Sequence, residues 1–188
     1  MRITGGIHCG RKLKVPSTGA VRPTQDRVRE ALFSMLAAGF PGWRVLDLFA
    51  GSGAVGFDAV SRGAAEVVWV ERDRRACAVL EENRAALAAV NGRVVCADAR
   101  RWVKGAGRGM AFDMAFADPP YADAEASGFA ELMDDLRLGA VVREGGCFIA
   151  EQAVALRACA ADHWELLRDS AYGHTRIVVY RLLTPPGV

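Results

Sequence analysis

The sequence predicts a doubly wound α/β fold, in which a mostly parallel sheet is covered by helices on both faces. An antiparallel C-terminal edge hairpin finishes it and a basic N-terminal arm precedes it. Three observations carry that expectation. Short, continuously apolar segments alternate with helical patterns through most of the chain. A glycine-rich turn joins the first such segment to the helix after it. The last two strand-like segments have no helix between them, so a hairpin is their natural connection.

Taken in order, "MRITGGIHCGRKLKVPSTGAVRPT" holds two short β-compatible runs separated by glycines and reads as a hairpin or extended arm. In "QDRVREALFSMLAAGF" the apolar residues Val28, Leu32, Met35 and Leu36 recur at helical spacing. Strands follow at 44–50 ("RVLDLFA") and 66–72 ("EVVWVER"), with a helix from the glycine turn between them and another over 74–90. Further buried strands are expected at 93–98, 112–117 and 146–152, with a helix between the last two in "EASGFAELMDDLRLGAVV". The closing strand is 174–183, its partner lies around 164–170, and "YGHT" (172–175) is the turn between them. The expected organisation is an arm over 1–25, one domain over 26–184 and a tail over 185–188, with only arm and tail mobile.

The chain has 188 residues, about one domain with room for a substantial core. It has no run of the eighteen or so apolar residues that a membrane span needs, and the N-terminus lacks the apolar core of a signal peptide. A soluble cytoplasmic protein without membrane association is expected. The five cysteines are odd in number, scattered and never in a Cys-x-x-Cys pair, and the three histidines show no ligand spacing, so neither a disulfide framework nor a metal is implied. Charge is uneven. Over residues 1–29, Arg2, Arg11, Lys12, Lys14, Arg22, Arg27 and Arg29 face Asp26 alone, a net +6, and with a whole-chain charge of +2 the rest carries −4. A basic, glycine-rich arm on an acidic body fits either a polyanion partner or a solvated tail.

"DLFAGSGAVG" sets Gly51, Gly53 and Gly56 in a G-x-G-x-x-G array between a strand and a helix, where backbone amides can meet a ligand. Glu71, twenty residues after Gly51 at the end of the second strand, is placed to accept from both hydroxyls of a ribose. The plainer alternative is that it only ends the strand and caps the next helix. Dinucleotides and S-adenosylmethionine both suit such a crevice. Asp47, four residues before Gly51, disfavours a pyrophosphate and favours a cationic ligand. Asp98 in "CADAR" either accepts from an adenine amine or caps the helix that follows, and the two roles are compatible.

"FADPPYAD" (116–123) ends an apolar run in one carboxylate, two prolines and a ring. Pro119 cannot donate to a ladder and forces Asp118 out of the helical region, so the strand must stop there. A stiff strand end with an acceptor and an aromatic ring suits a flat, amine-bearing ligand, and it also suits an ordinary turn.

"DLFAGSG", "VERD", "CAD" and "ADPPY", in this order, resemble the Rossmann-like class I methyltransferases that use S-adenosylmethionine, and "DPPY" resembles the motif of the branch acting on exocyclic amines. With "RITGGIHCGRKLKVP", "RPTQDRVREALFSML" and "YGHTRIVVY", the chain from Arg2 to Tyr180 is similar to the RsmD family of 16S ribosomal RNA guanine-N2 methyltransferases. The resemblance implies S-adenosylmethionine as cofactor, held by Asp47, Phe49, Ala50, Gly51, Ser52, Gly53, Glu71, Arg72, Asp98 and Ala99. It implies Asp118, Pro119, Pro120 and Tyr121 as the catalytic set. Asp118 and the Pro119 carbonyl would accept from the amine, and Tyr121 would stack on the base. It also implies 16S ribosomal RNA as partner, in the 30S subunit or an assembly intermediate. Arg11, Lys12, Lys14, Arg22, Thr24 and Arg27 are the substrate-contact candidates, Arg27 and Arg29 having a structural role as the alternative. Rival readings are a DNA adenine or cytosine amine methyltransferase, a non-catalytic RNA-binding assembly factor and, more remotely, a dinucleotide oxidoreductase.

Overall fold

The computed structural model describes residues 1–16, 26–36, 40–119 and 126–184. The chain divides into two compact units, Met1–Ala99 and Arg100–Val188.

The first unit is built on three parallel strands, β1 (Arg44–Leu48), β2 (Glu66–Glu71) and β3 (Gly92–Cys96), in the order β3-β2-β1. Val45, Leu46 and Leu48 of β1 and Val67 through Val70 of β2 are buried without a break, as strands covered on both faces require. The crossovers are α2 (Ala54–Ser61) and α3 (Arg74–Ala86). Asp73 caps α3 by accepting from the amides of Arg75 and Ala76, which leaves Glu71 free of that duty. Helix α1 (Asp26–Leu36) buries Val28, Leu32 and Phe33 as its apolar spacing demands. Met35 and Leu36, expected on the same face, are only half-buried, and Arg29 is fully buried in their stead.

Every residue of α2 is buried, including Asp58 and Ser61. The reason lies in the N-terminal segment. Arg2 and Lys12 form an antiparallel bridge, the Ile3 amide donates to Arg11 O at 2.9 Å and the Leu13 amide to Met1 O at 3.1 Å, closing a hairpin that buries Ile3 and Leu13. Thr4 donates to Asp58 Oδ1 through both its amide (2.7 Å) and its hydroxyl (2.8 Å), and the Ile7 amide donates to Ser61 O at 2.8 Å. Asn83 of α3 clamps Lys14, accepting from its amide at 2.9 Å and donating to its carbonyl at 3.0 Å. The expected mobile arm is therefore corrected over residues 1–16: side chains of α2 and α3 satisfy its backbone and hold it in the first unit. The remainder of the arm, with Arg22 and Thr24, and the tail lie outside the described residues.

The second unit carries β4 (Phe112–Ala117), α5 (Ala126–Leu138), β5 (Val142–Ala153), β6 (Trp164–Tyr172) and β7 (Thr175–Leu182), after the short α4 (Ala99–Lys104). Its strand order is β4-β5-β7-β6; β4 and β5 are parallel, and β7 is antiparallel to both neighbours. Gly173, with φ of +60°, makes the two-residue turn from β6 to β7 that "YGHT" predicts. Strand β5 begins four residues before its expected start because Arg143, Glu144 and Gly145 extend it as an exposed lead-in, with a register shift against β4. Phe148 centres the core, with ring centroids 6.4 Å from Phe129, 6.1 Å from Trp164 and 6.3 Å from Tyr180.

Among the described residues no helix is long and apolar enough to cross a membrane.

Candidate functional site

The sequence-predicted nucleoside residues gather where β1, β2 and β3 of the first unit end, the rim at which open parallel sheets take ligands. β1 gives way to a turn with Phe49 (φ +56°), Gly51 (φ +53°) and Gly53 (φ +72°). Positive φ is easy for glycine and costs a phenylalanine about 1–3 kcal/mol, so Phe49 stores strain at this turn. Gly53 is the N-cap residue of α2. A Cβ there would overlap Leu80, and one at Gly56 would overlap the indole nitrogen of Trp69. Trp69 Nε1 in turn donates to Gly53 O at 3.1 Å. Two of the three glycines are thus required by packing beneath the turn, a constraint the motif alone does not reveal.

Glu71 ties the rim together. Its Oε2 accepts from the Gly51 amide and its Oε1 from the Asp73 amide, both at 2.8 Å. A carboxylate has about four lone-pair positions, so each oxygen keeps capacity for one more donor. Asp98 follows β3 by two residues and stands immediately before Ala99, the first residue of α4. Arg72 is exposed beside Glu71, Phe49 and Ala50 are half-buried, and Ala99 is buried. Ser52 is buried and donates to Met1 Sδ at 3.3 Å, which directs its hydroxyl toward the hairpin.

Asp47 differs from its expected state. It is 2% exposed and accepts from the Gly56 amide at 3.0 Å. Burial pushes its carboxyl up to about 8, the Gly56 hydrogen bond pulls it down, and the nearby Glu71 charge raises it further. Burial therefore favours the neutral form of Asp47, against the negative charge that its place before the glycine turn suggests. The folded chain holds this proton over a range in which the unfolded chain, with an ordinary value of 3.8, has lost it. Stability from this group is present in full below about 3.8, falls as pH rises toward about 8, and is flat above. Asp47→Asn keeps an oxygen for Gly56 and should raise Tm at pH 9 by roughly 2–4 °C for each kcal/mol of that cost it removes. The difference should vanish near pH 4, as read by thermal scans across that range.

Asp118 is the first residue beyond β4, half-buried, with Pro119 buried after it, so the strand stops where the prolines require. Pro120 and Tyr121 lie outside the described residues. Arg11, Lys12 and Arg27 are exposed and carry no ion pair among the described residues. Lys14 is exposed but stands 2.7 Å from Glu82, which offsets part of its charge. Arg29 resolves to the structural alternative: fully buried, it donates to Asp26 Oδ1 at 2.6 Å, Asp58 Oδ2 at 2.5 Å and Arg2 O at 2.8 Å. Asp58, which also pairs with Arg62 at 2.6 Å, went unrecognised in the sequence. Its one signal was an acid inside the apolar run "GFDAV" with arginine four residues on.

The family model described as conserved hypothetical protein 95 matches residues 1–181. The Escherichia coli (strain K12) protein named ribosomal RNA small subunit methyltransferase D is 37% identical over 182 residues, covering 97% of this chain and 88% of that one. Its namesake from Haemophilus influenzae is 31% identical over 184 residues, covering 97% and 92%. Among solved structures, the Escherichia coli chain yhhF superposes with a TM-score of 0.85 at 34% identity, covering 97% of this chain and 98% of that one. A hypothetical protein of Thermus thermophilus does so with 0.77 at 35%, covering 95% and 98%. SMU.776, solved in complex with SAH, shares the fold at 18% identity and a TM-score of 0.68, with 86% of this chain and 50% of that one covered. With residues 1–181 matched by the family model and 97% of its length by the Escherichia coli relative, the chain belongs to the conserved hypothetical protein 95 family, that of ribosomal RNA small subunit methyltransferase D.

Proposed function

We propose that this chain transfers a methyl group from S-adenosylmethionine to the exocyclic N2 amine of a guanine in 16S ribosomal RNA, within the 30S subunit or an assembly intermediate. The observation that carries the reading is the end of β4: a half-buried acid followed by a buried proline, Asp118-Pro119, in a chain whose full-length relatives are named small-subunit ribosomal RNA methyltransferases.

The rim of the first unit fits such a donor on its own chemistry. Glu71 is fixed by two backbone amides and retains acceptor capacity for two ribose hydroxyls. Asp98 offers an acceptor to an adenine amine. Asp47 and Glu71 are close enough for each charge to oppose the other, so a cationic group near them is favoured and would draw the proton from Asp47. When bound, the donor supplies a methyl group made electrophilic by its sulfonium. A guanine amine is a poor nucleophile because its lone pair is delocalised into the ring. In this reading Asp118 accepts one amine hydrogen and the Pro119 carbonyl the other. Both bonds favour a pyramidal nitrogen, and the proton shed after transfer passes to the Asp118 carboxylate or to water. Positioning supplies most of the acceleration. Tyr121 holds the base plane by stacking, and Pro120 keeps the segment stiff. An amine inside a helix is out of reach, so the target guanine is unpaired or flipped.

Arg11 and Lys12 face solvent on a hairpin whose backbone is fixed, and in this reading they hold flanking phosphates, with Arg22, Thr24 and Arg27 as further contacts. The double variant Arg11→Glu, Lys12→Glu is expected to lower RNA affinity at low salt. It should also flatten the dependence on log salt by about 0.7–0.9 for each phosphate no longer neutralised. Filter binding over a salt series reads both.

The deciding experiment incubates the purified chain with methyl-labelled S-adenosylmethionine and small ribosomal subunits from cells lacking the enzyme, then maps the labelled nucleotide. Label at N2 of a single guanine is expected. Label in DNA and not in RNA would replace this reading with a DNA amine methyltransferase. Donor binding without transfer to any nucleic acid would replace it with a non-catalytic assembly factor.

A further inference from the structure

Two of the five cysteines meet behind the Glu71 turn. Cys96 ends β3 and stands opposite Glu71 in the parallel β2/β3 register. Cys77 lies in the first turn of α3, where its amide donates to Asp73 O at 2.9 Å. The two thiols reach consecutive carbonyls of one turn: Cys77 Sγ is 3.3 Å from Glu71 O, and Cys96 Sγ is 3.9 Å from Arg72 O. Cys96 is also near enough to Cys77 to push its thiol up. Their accessibility differs: Cys96 is exposed and Cys77 is buried. Burial, followed by the contact with Cys96, pushes the Cys77 thiol up to about 12 and leaves it protonated.

We propose that Cys77 and Cys96 form a dithiol modification site that takes a peroxide as co-reactant and closes to a disulfide at the nucleoside edge of the donor site. The exposed Cys96, as its thiolate, attacks one peroxide oxygen. An S–O bond forms, the O–O bond breaks, and the departing hydroxide leaves as water, giving a sulfenic acid. The Cys77 sulfur then attacks the Cys96 sulfur. The S–S bond forms as the S–O bond breaks, and the hydroxide leaves with the Cys77 proton as a second water. Two thiols are oxidised by two electrons, and one peroxide is reduced to two waters. The asymmetry of exposure sets the order, since the oxidant reaches Cys96 first and Cys77 needs no access to solvent.

The product acts on Glu71. Both S–H donors are consumed, so the Glu71 and Arg72 carbonyls lose them. The end of β3 and the first turn of α3 are also joined across the turn that aims the Glu71 carboxylate at Gly51. Lower affinity for the donor follows, a consequence that rests on the donor reading above, whereas the linkage itself does not.

The test treats the reduced full chain with hydrogen peroxide, blocks remaining thiols after denaturation, maps peptides by mass spectrometry and titrates S-adenosylhomocysteine by calorimetry. A linked Cys77–Cys96 peptide pair, two hydrogens lighter than its parts, is expected. With it the Kd for S-adenosylhomocysteine should rise about tenfold, near the worth of one lost hydrogen bond, and return on addition of dithiothreitol. Cys96→Ser should abolish both changes. A Cys96 recovered unlinked or as a sulfinic acid, or a linked pair with unchanged Kd, would overturn the proposal. Reduced protein that binds no S-adenosylhomocysteine would instead sink the donor reading, and the peptide map would still decide the dithiol.

Discussion

Asp118→Ala is expected to lower the rate of methyl transfer to small ribosomal subunits by about 10²- to 10⁴-fold, the range for losing a positioned proton acceptor. Binding of S-adenosylhomocysteine should stay within about twofold of the unmodified chain, well under one hydrogen bond's worth. The split follows from where the groups stand. The acceptors assigned to the donor, Glu71 and Asp98, belong to the first unit, whereas Asp118 follows β4 in the second. Glu71→Ala supplies the contrast. It removes the acceptor of both the Gly51 and Asp73 amides and should weaken S-adenosylhomocysteine binding by about 10- to 100-fold, as hydrogen bonds to a charged group do. Calorimetry and single-turnover transfer assays on the two variants separate binding from chemistry. Equal losses of donor affinity in both would contradict the assignment of Asp118 to the amine.

Asp58→Ala should destabilise the fold by about 3–5 kcal/mol, the loss seen when one partner of a buried ion pair is removed. Asp58 and Arg29 both have fully buried side chains. Asp58 also receives Arg62 and both donors of Thr4, so its removal takes a carboxylate from two arginines and unpins the hairpin in one change. Arg29 would retain Asp26 and the Arg2 carbonyl, which keeps the loss from being larger. Urea titration should show a lower midpoint with a similar slope. The pair Asp58→Leu, Arg29→Met should recover part of the loss, because it removes the buried Arg29 charge together with its partner, while Arg62 and Thr4 still lose their acceptor.

The sheet was legible because parallel strands buried on both faces read as unbroken apolar runs: β4 falls on the expected residues, and β1 and β2 differ only at their ends. Glu71 and the glycine turn were legible as a pair because each follows an apolar run, and the two strands lie side by side, so the Glu71 carboxylate meets the Gly51 amide. Long-range polar pairing was not. Nothing near Asp58 in the chain announces Thr4 and Arg29 as partners, 54 and 29 residues away, and composition alone made the basic N-terminal segment look like a loose arm. The upward shift of the Asp47 carboxyl was hidden for a similar reason, since burial, the chief cause, arises only inside the folded rim. The two thiols behind Glu71 stand 19 residues apart in the chain, and it is the return of β3 beside β2 and of α3 onto the same turn that brings both to it.

Helix α2 has eight residues, so from end to end it is about 12 Å long, too short to bend and closed by its own hydrogen bonds. Gly53, at its head, belongs to the glycine turn, while Asp58 and Ser61, toward its tail, grip the hairpin. A single stiff rod therefore connects the two, with no joint between them to absorb a displacement. A mutation that displaced the hairpin would therefore be expected to shift the backbone amides of the turn as well.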